Sequence, residues 1–460
     1  MRFVNTMMID LSKHVCCAIG FLGLLIPSAH GQGIRESHPN LLVTVSSRFV
    51  EAGLTRSLDY QQQVRECILG ARVTGEGKTT VQMKAELVAD PRRAAIQFNV
   101  LGRTDLETIG RQKQVTVWGK GVTRFNATKP VVFDKSGFDA GISTSRAQSN
   151  NWPCRISAPP LLKNFAWNRI ERQRSEANCI VARRAEPMIN QRIDQEVESI
   201  IQSANDVYQR EFRDPLTQVG AFPRQLAIST SADDLKIVIL QAADAQTGAP
   251  SPAPQPEVSQ DIGIRCHETA FNNMAESLLA GKTLTDDQFR TQVGKYLTMA
   301  SLQAFTPNTS EKPWAITFSK KKPVRVDFQD GGYKLVIAGE RWKSGRRSYR
   351  AKMNVSVIYQ IDLSNDQVRL VRSKDLLIAP PGFVSGKNRL TPTALSLRRV
   401  LQRKFEQLFP PVIYPDKLVV PGPWKQAGPL RVTRISAVAG WLQMSWAIRS
   451  LLSDGLADGN

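Results

Sequence analysis

Apolar and polar residues alternate strictly over two long stretches of this chain, and between them the apolar positions recur at helical spacing. The first alternating stretch covers residues 64–133. Val81, Met83, Ala85 and Leu87 fall on every second position, as do Ile96, Phe98 and Val100, and then Val115 and Val117. A period of two puts those side chains on one face of a strand. Gly75-Glu76-Gly77, Asp90-Pro91 and Trp118-Gly119-Lys120-Gly121 separate the runs as turn signals. The pattern predicts an antiparallel meander with one buried face. Residues 41–58 read as a short strand leading into an amphipathic helix, with Phe49, Val50, Leu54 and Leu58 on one side. Residues 134–160 are polar, end at Pro159-Pro160, and predict an irregular connection.

Over residues 165–213 the period becomes helical. Ile189, Ile193, Val197, Ile200, Ala204, Tyr208 and Phe212 form one stripe at steps of three and four. No heptad repeat is sustained, so the stripe does not predict a coiled coil. Pro187 is expected to kink the helix or divide it. At 1.5 Å per residue such a helix is about 70 Å long. One apolar face of that length needs a long apolar surface to cover, and an extended sheet supplies one.

Strands are predicted again at residues 226–230 and 235–243. A flexible tether with four prolines in ten residues follows at 247–256. Then come a strand near 262–264, helices at 269–279 and 286–299, and a second alternating block over 314–378. That block shows Trp314/Ile316/Phe318, Val324/Val326/Phe328, Tyr333/Leu335/Ile337 and Met353/Val355/Val357/Tyr359/Ile361, with Asp330-Gly331-Gly332 as a hairpin turn. A helix at 393–409, a strand or hairpin at 430–448 and a frayed tail at 454–460 close the chain. The order predicts an α+β fold of two extended antiparallel meander sheets, each packed with helices, including the long kinked helix. The segments are 1–31, 32–160, 161–214, 215–312 and 313–460. They suggest two related halves, although no residue-level repeat joins them.

The N-terminus changes the compartment. Arg2 and Lys13 precede an apolar run over 15–26. Pro27 ends that run, and Ser28-Ala29-His30-Gly31 offers small residues for cleavage. This is the layout of a secretory signal peptide, and the run is shorter than the ~20 residues a membrane span needs. Cys16 and Cys17 open the run, away from the position of a lipid-accepting cysteine. The expectation is an exported chain, periplasmic, envelope-associated or extracellular. After cleavage Cys67, Cys154, Cys179 and Cys266 remain. Export permits disulfides among them, with three pairings open, and four free thiols are equally compatible.

Charge then sharpens the picture. The 460 residues carry a formal net charge of +20. Residues 314–404 hold 20 Lys+Arg against 6 Asp+Glu. Lys320-Lys321-Lys322 forms one cluster, and Arg398, Arg399, Arg403 and Lys404 another. Arg341, Lys343, Arg346, Arg347, Arg350 and Lys352 surround Gly345 at a predicted hairpin tip, with Trp342 and Tyr349 as candidates for a membrane interface. Such a tip suits an anionic membrane or polysaccharide, although Lys and Arg also protect sheet edges. Export and the lack of a recognition motif argue against genomic DNA as partner.

Catalytic motifs fail on spacing. The glycine-rich run at 70–79 has six residues where a phosphate loop has four. His267-Glu268 starts like a zinc-protease helix, but Phe271 stands where the second His belongs. Cys266 and His267 would point to opposite faces of a strand, and no G-x-S-x-G occurs. No metal or cofactor is expected. A carboxylate-pair hydrolase remains a third-ranked alternative.

Residues 261–289 carry a resemblance. Ile262 and Ile264 in a strand, Glu268 at a turn, Asn272, Leu278 and Leu279 in a helix, and Gly281, Leu284 and Thr285 at its close resemble the opening of the second barrel in the bactericidal/permeability-increasing, or tubular lipid-binding, superfamily. The chain as a whole also resembles a family of exported bacterial proteins with no assigned activity. The first resemblance implies long twisted strands wrapped around a long helix with an apolar tunnel between them. The mid-chain position of the long helix and the proline-rich tether depart from that pattern. The leading expectation is therefore a non-enzymatic protein binding a lipid or other elongated apolar ligand. The stripe from Ile189 to Phe212 would back the cavity, and the tip Arg341 to Lys352 would meet anionic surface. The alternative is an envelope scaffold that grips an acidic polymer and has a filled core.

Overall fold

The computed structural model describes residues 37–218, 222–256, 260–285, 288, 313–329, 331–364, 367–384, 386–387, 389–414 and 426–449. The signal-like segment 1–31, the expected helix at 286–299 apart from Gln288, and the tail at 454–460 lie outside them. The fold is α+β with antiparallel sheets. The chain divides into two compact units, the first built from Val50–Ala204 with Ser229–Asp233.

In chain order, β1 (Leu41–Ser46) and α1 (Ser47–Leu54) come first. The first unit then follows with β2 (Arg56–Ile68), β3 (Ala71–Val88), β4 (Ala94–Gln112), β5 (Val115–Asp134), β6 (Gly137–Ala140), β7 (Thr144–Ser157) and the long helix α2 (Pro160–Val207). Leu58, expected on the first helix, lies in β2 opposite Val81, because its period-two neighbours win over the helical reading. β2 to β5 form a meander, and both β6 and β7 pair with the far side of β5. β3, β4 and β5 have 18, 19 and 20 residues, several times the usual ~5–6. Leu69 and Gly70 both have positive φ, at 49° and 80°, and make the two-residue turn from β2 to β3. The stretch 134–160, expected to be irregular, is mostly β7. Its polarity is that of an edge strand, whose free backbone and side chains must bond elsewhere.

They bond to α2. Asn178 Oδ1 accepts from the Asn151 backbone N–H at 2.9 Å, and the Glu186 carboxylate accepts from the Ala147 N–H at 3.0 Å. Ser145 Oγ donates to the Glu186 carbonyl at 3.0 Å. The opposite edge, β2, is held as well: Arg184 donates to the Glu66 carboxylate at 2.9 Å and to the Cys67 carbonyl at 2.7 Å. One helix thus ties both edges of the sheet, which curls around it as a half-barrel. Pro187 does not divide α2; the anchor at Glu186 holds the helix to β7 at that point. Val81, Val100, Phe125, Ala127 and Ala147 pack there under Ala182, Ala185, Ile189 and Ile193. A π-helical turn at Tyr208–Arg213 and α3 (Asp214–Gln218) follow.

The second unit contains two sheets. Its later elements are β8 (Gln225–Thr230), β9 (Asp234–Leu240), β10 (Ile262–His267), α4 (Glu268–Leu279), β11 (Thr283–Thr285), β12 (Trp314–Phe318), β13 (Val324–Gln329), β14 (Gly332–Ser344), β15 (Arg347–Tyr349), β16 (Met353–Ser364), β17 (Gln367–Arg372), β18 (Leu377–Ala379), α5 (Pro392–Leu408), β19 (Val412–Ile413), β20 (Leu430–Val438) and β21 (Trp441–Ile448). One sheet runs β20-β21-β10-β1-β9-β8; the other centres on β14 and β16. Tyr359, Met353, Val355 and Val357 of β16 pack with Leu397, Leu401 and Phe405 of α5. The proline-rich segment, expected to be a flexible tether, is fastened to the first sheet. The Pro254 carbonyl accepts from Arg265 at 3.0 Å, the Gln255 carbonyl from Gln443 at 3.3 Å, and Ala249 bridges His38. Proline lacks an N–H but keeps its carbonyl as an acceptor, which is what these side chains use.

In the first unit, Lys129 of β5 is almost wholly buried and pairs with Asp194 of α2, which also accepts from the Ser143 N–H at 3.1 Å. Burial alone would raise the Asp194 pKa, but the hydrogen bonds from Lys129 and Ser143 outweigh it and hold the carboxyl below its ordinary range. Asp194→Asn should cost about 2–3 kcal/mol, at the low end for a broken buried pair because Asp194 is half-exposed. A depressed carboxylate stabilises above its unfolded pKa, so the wild-type advantage in urea unfolding should hold above about pH 5 and vanish as pH falls below ~4. An advantage that persists in acid would contradict this account.

Candidate ligand cavity

The concave face of the first unit's sheet is not filled along its whole length. Where α2 carries Ala182 to Ile193, the sheet presents Val81, Val100, Phe125 and Ala127 and closes on it. Toward the hairpin turns at Leu69 and Lys113 the same face carries Val73, Gly77, Thr104, Leu106, Thr108 and Gly110. Small residues there cannot reach the helix. A cavity of about 1290 Å³ is left between these strand ends and the N-terminal half of α2, which contributes Leu162, Phe165, Ile170, Ala177 and Val181. The cavity opens to solvent along part of its extent.

Local detail fixes its ends and its polarity. Gly102 lies under the Phe125 ring: an added Cβ would sit 2.0 Å from Phe125 Cζ. The missing side chain lets Phe125 lie flat and stop the cavity on that side. Thr79 and Thr104 hydroxyls bond each other at 2.9 Å, and Thr123 bonds Ser149 at 2.8 Å. Hydroxyls paired across strands make no further demand on a ligand. The wall is therefore apolar in effect although it is rich in threonine.

Charge gathers at the rim, with seven Lys or Arg side chains and one carboxylate among the lining residues. Arg184 is taken by Glu66, Lys120 by Glu107 at 2.9 Å and Arg174 by Glu171 at 3.3 Å. Arg65 and Lys113 pair with no carboxylate among the described residues. The arrangement can take up an elongated apolar molecule and offer cations to an acidic end.

Of the stripe chosen from sequence, Ile189 lines this cavity, and Ile193 packs on the closed end of the sheet. Val197 is half-buried, and Ile200, Ala204, Tyr208 and Phe212 are buried outside the lining. The helix residues that do line it, such as Phe165, Ile170 and Ala177, lie about three to seven turns before Ile189. Their spacing with Arg169, Gln173 and Arg174 blurs the apolar face, so hydropathy alone passes over them.

The second basic feature is in the second unit. Arg341, Lys343, Arg346, Arg347, Arg350 and Lys352 are all exposed around the turn at Gly345, where φ is 59°. Trp342, a candidate for a membrane interface, is instead buried. Its Nε1 donates to the Ala351 carbonyl at 3.2 Å and its ring meets Phe405 edge-on. Alternation explains this: Arg341 and Lys343 point out, so Trp342 points in.

The residues carrying the family resemblance perform a structural task. The Glu268 carboxylate accepts from the Phe328 N–H at 2.8 Å. Asn272 both accepts from Val326 N–H at 2.7 Å and donates to its carbonyl at 3.0 Å. They fasten α4 to the strand edge of β13. His267 caps α4 by accepting from the Thr269 N–H at 3.2 Å, and burial lowers its pKa. Burial raises the Cys266 thiol pKa, so it stays protonated. Cys67, Cys154, Cys179 and Cys266 are free thiols. Among the described residues no group of three or more His, Cys, Asp or Glu could hold a metal ion, and no helix is long and apolar enough to cross a membrane.

No protein-family model and no curated protein matches the sequence. Among solved structures, a lipopolysaccharide binding protein aligns over 90% of this chain and 99% of its own, at 13% identity and a TM-score of 0.31. The P47 protein of Clostridium botulinum A2 aligns over 89% of this chain and 97% of its own, at 9% identity and a TM-score of 0.23. Likenesses this loose carry no functional inference. What stands is an α+β protein whose first unit holds an open cavity between a half-barrel sheet and a helix.

Filling the cavity should abolish uptake of an apolar fluorescent probe. A Cβ at Gly110 would meet nothing closer than Val73 Cγ2 at 3.8 Å, so the backbone accepts a side chain such as that of Gly110→Leu, aimed into the cavity. Combined with Ala177→Trp, it should remove saturable probe binding while the melting temperature holds or rises, since strand glycine is itself destabilising by about 0.5–1 kcal/mol. Unchanged probe binding in this double variant would show that the probe sits elsewhere.

Proposed function

We propose that this chain is an exported, non-enzymatic protein that binds a lipid or other elongated apolar ligand between β2–β5 and the N-terminal half of α2. The cavity of about 1290 Å³ is the observation that carries this reading. It exceeds the ~300–1,000 Å³ of usual small-molecule sites and would hold about forty waters at ~30 Å³ each. Water gains little from walls whose hydroxyls are already paired. Each methylene transferred from water gains about 0.8 kcal/mol, so a ten-carbon chain gains about 8 kcal/mol before the cost of immobilising it. The site of action in this reading lies outside the cytoplasm, on the strength of the signal-like pattern at 1–31.

The exposed basic hairpin is the second part of the proposal. Arg341, Lys343, Arg346, Arg347, Arg350 and Lys352 would contact an anionic membrane or polysaccharide. Unpaired surface cations draw anionic surfaces over a Debye length and weaken with salt. The open cavity favours the ligand-binding reading over a scaffold with a filled core, while the hairpin alone fits either.

Native mass spectrometry of the gently purified chain should show a population heavier than the polypeptide by the mass of a lipid, and organic extraction should remove it. A clean polypeptide mass under every gentle condition would sink the ligand-binding reading. Arg346→Glu with Arg347→Glu should weaken salt-sensitive retention on anionic vesicles or acidic polysaccharide. Undiminished retention would free the hairpin of that role, and strong polysaccharide retention without any lipid would favour the scaffold.

A further inference from the structure

Several apolar side chains stand exposed at the mouth of the cavity. Apolar side chains that line it also face outward: Phe165 is 67% exposed, Leu162 44% and Trp152 38%. Beside them, outside the lining, Leu161 is 96% exposed and Trp167 40%. Leu161 lies one turn before Phe165 on the same flank of α2. Single exposed apolar residues are ordinary, but Leu161, Leu162, Phe165 and Trp167 fall within the first two turns of one helix.

Within the stretch that carries them the charge is of one sign, while the nearby Glu66, Glu107 and Glu171 are taken by Arg184, Lys120 and Arg174. Residues 140–170 contain no Asp or Glu, yet hold Arg146, Arg155, Lys163 and Arg169. The first turn of α2 has no acidic residue, so the positive end of the helix dipole is not offset there. Arg65 and Lys113, on the lining, add cations from the hairpin ends.

Resting on the ligand-binding reading above, we propose that this mouth docks directly on a lipid bilayer of net negative charge. Leu161, Phe165 and Trp167 enter the interface, and Lys163 and Arg169 meet acidic headgroups. Tryptophan and long cationic side chains suit that boundary, with apolar bodies on one side and polar tips on the other. A bilayer is the occupant the geometry calls for, because the rim is continuous with the apolar lining. An apolar ligand passing through water would expose every methylene, whereas one passing through a docked mouth exposes none. This surface shares no residue with the Arg341–Lys352 hairpin of the second unit.

The test uses Leu161→Ser with Trp167→Ser, neither of which lines the cavity, on the full chain with vesicles of phosphatidylglycerol and phosphatidylcholine. The wild type should co-sediment with them, less so with phosphatidylcholine alone and less so in high salt. The double variant should bind about tenfold more weakly or worse. Uptake of an apolar probe without vesicles should stay at the wild-type level, which shows that the fold and cavity are intact. Vesicle binding equal to wild type in the double variant, or its loss only on Arg346→Glu/Arg347→Glu, would overturn the mouth as the docking surface. So would a wild type that ignores vesicles and is instead held by a protein partner. Loss of probe uptake in the wild type itself would be a failure of the cavity reading, distinguishable because it needs no bilayer.

Discussion

The first unit depends on one constraint: a single helix must satisfy both edges of a sheet whose strands are far too long to close on themselves. Arg184 reaches β2, Asn178 and Glu186 reach β7, and Asp194 reaches Ser143 just before it, all from less than five turns of α2. Those bonds answer the edge problem that an open sheet otherwise poses to other chains. They also set the curl, since both edges must come to the same helix.

Once the edges are fixed, the side chains of the concave face decide where the interior is solid. Val81, Val100 and Phe125 fill it against Ala182 and Ile189. Gly110, Thr104 and Thr108 do not fill it against Ile170 and Ala177. Glycine inside a strand weakens it and marks a place where something else approaches. Here the strands tolerate it because long registers on both sides, such as Thr74 to Ile109 and Gly110 to Val117, hold the backbone in place. Stability is concentrated at one end of the sheet and space at the other, so the unit can carry a ligand without relying on it for its own core.

The long alternating strands were legible because Val81/Met83/Ala85/Leu87 and Ile96/Phe98/Val100 have one wet and one dry face, which is what period two reports. The long helix was legible for the same reason at period 3.6. β7 was not, since an edge strand whose bonds go to helix side chains shows Ser, Asn and Arg where a central strand shows Val. The proline-rich segment misled because proline content reports a missing N–H, while Arg265 and Gln443 bind its carbonyls. The cavity was displaced from the predicted stripe because a strong apolar face marks where a helix is packed shut. An open space shows in sequence as a weaker face, here Phe165, Ile170 and Ala177 among arginines, opposite glycine and threonine. Recognising it needs both partners of the pair, and strand and helix are about sixty residues apart.

Locating a bound acyl chain tests the central claim most directly. A fatty acid carrying a photoactivatable diazirine can be bound to the full chain, activated and mapped by peptide mass spectrometry. The account predicts adducts on residues 60–73, 104–117 and 162–192, the segments that wall the cavity. Adducts confined to residues 234–449, or scattered without preference, would contradict it.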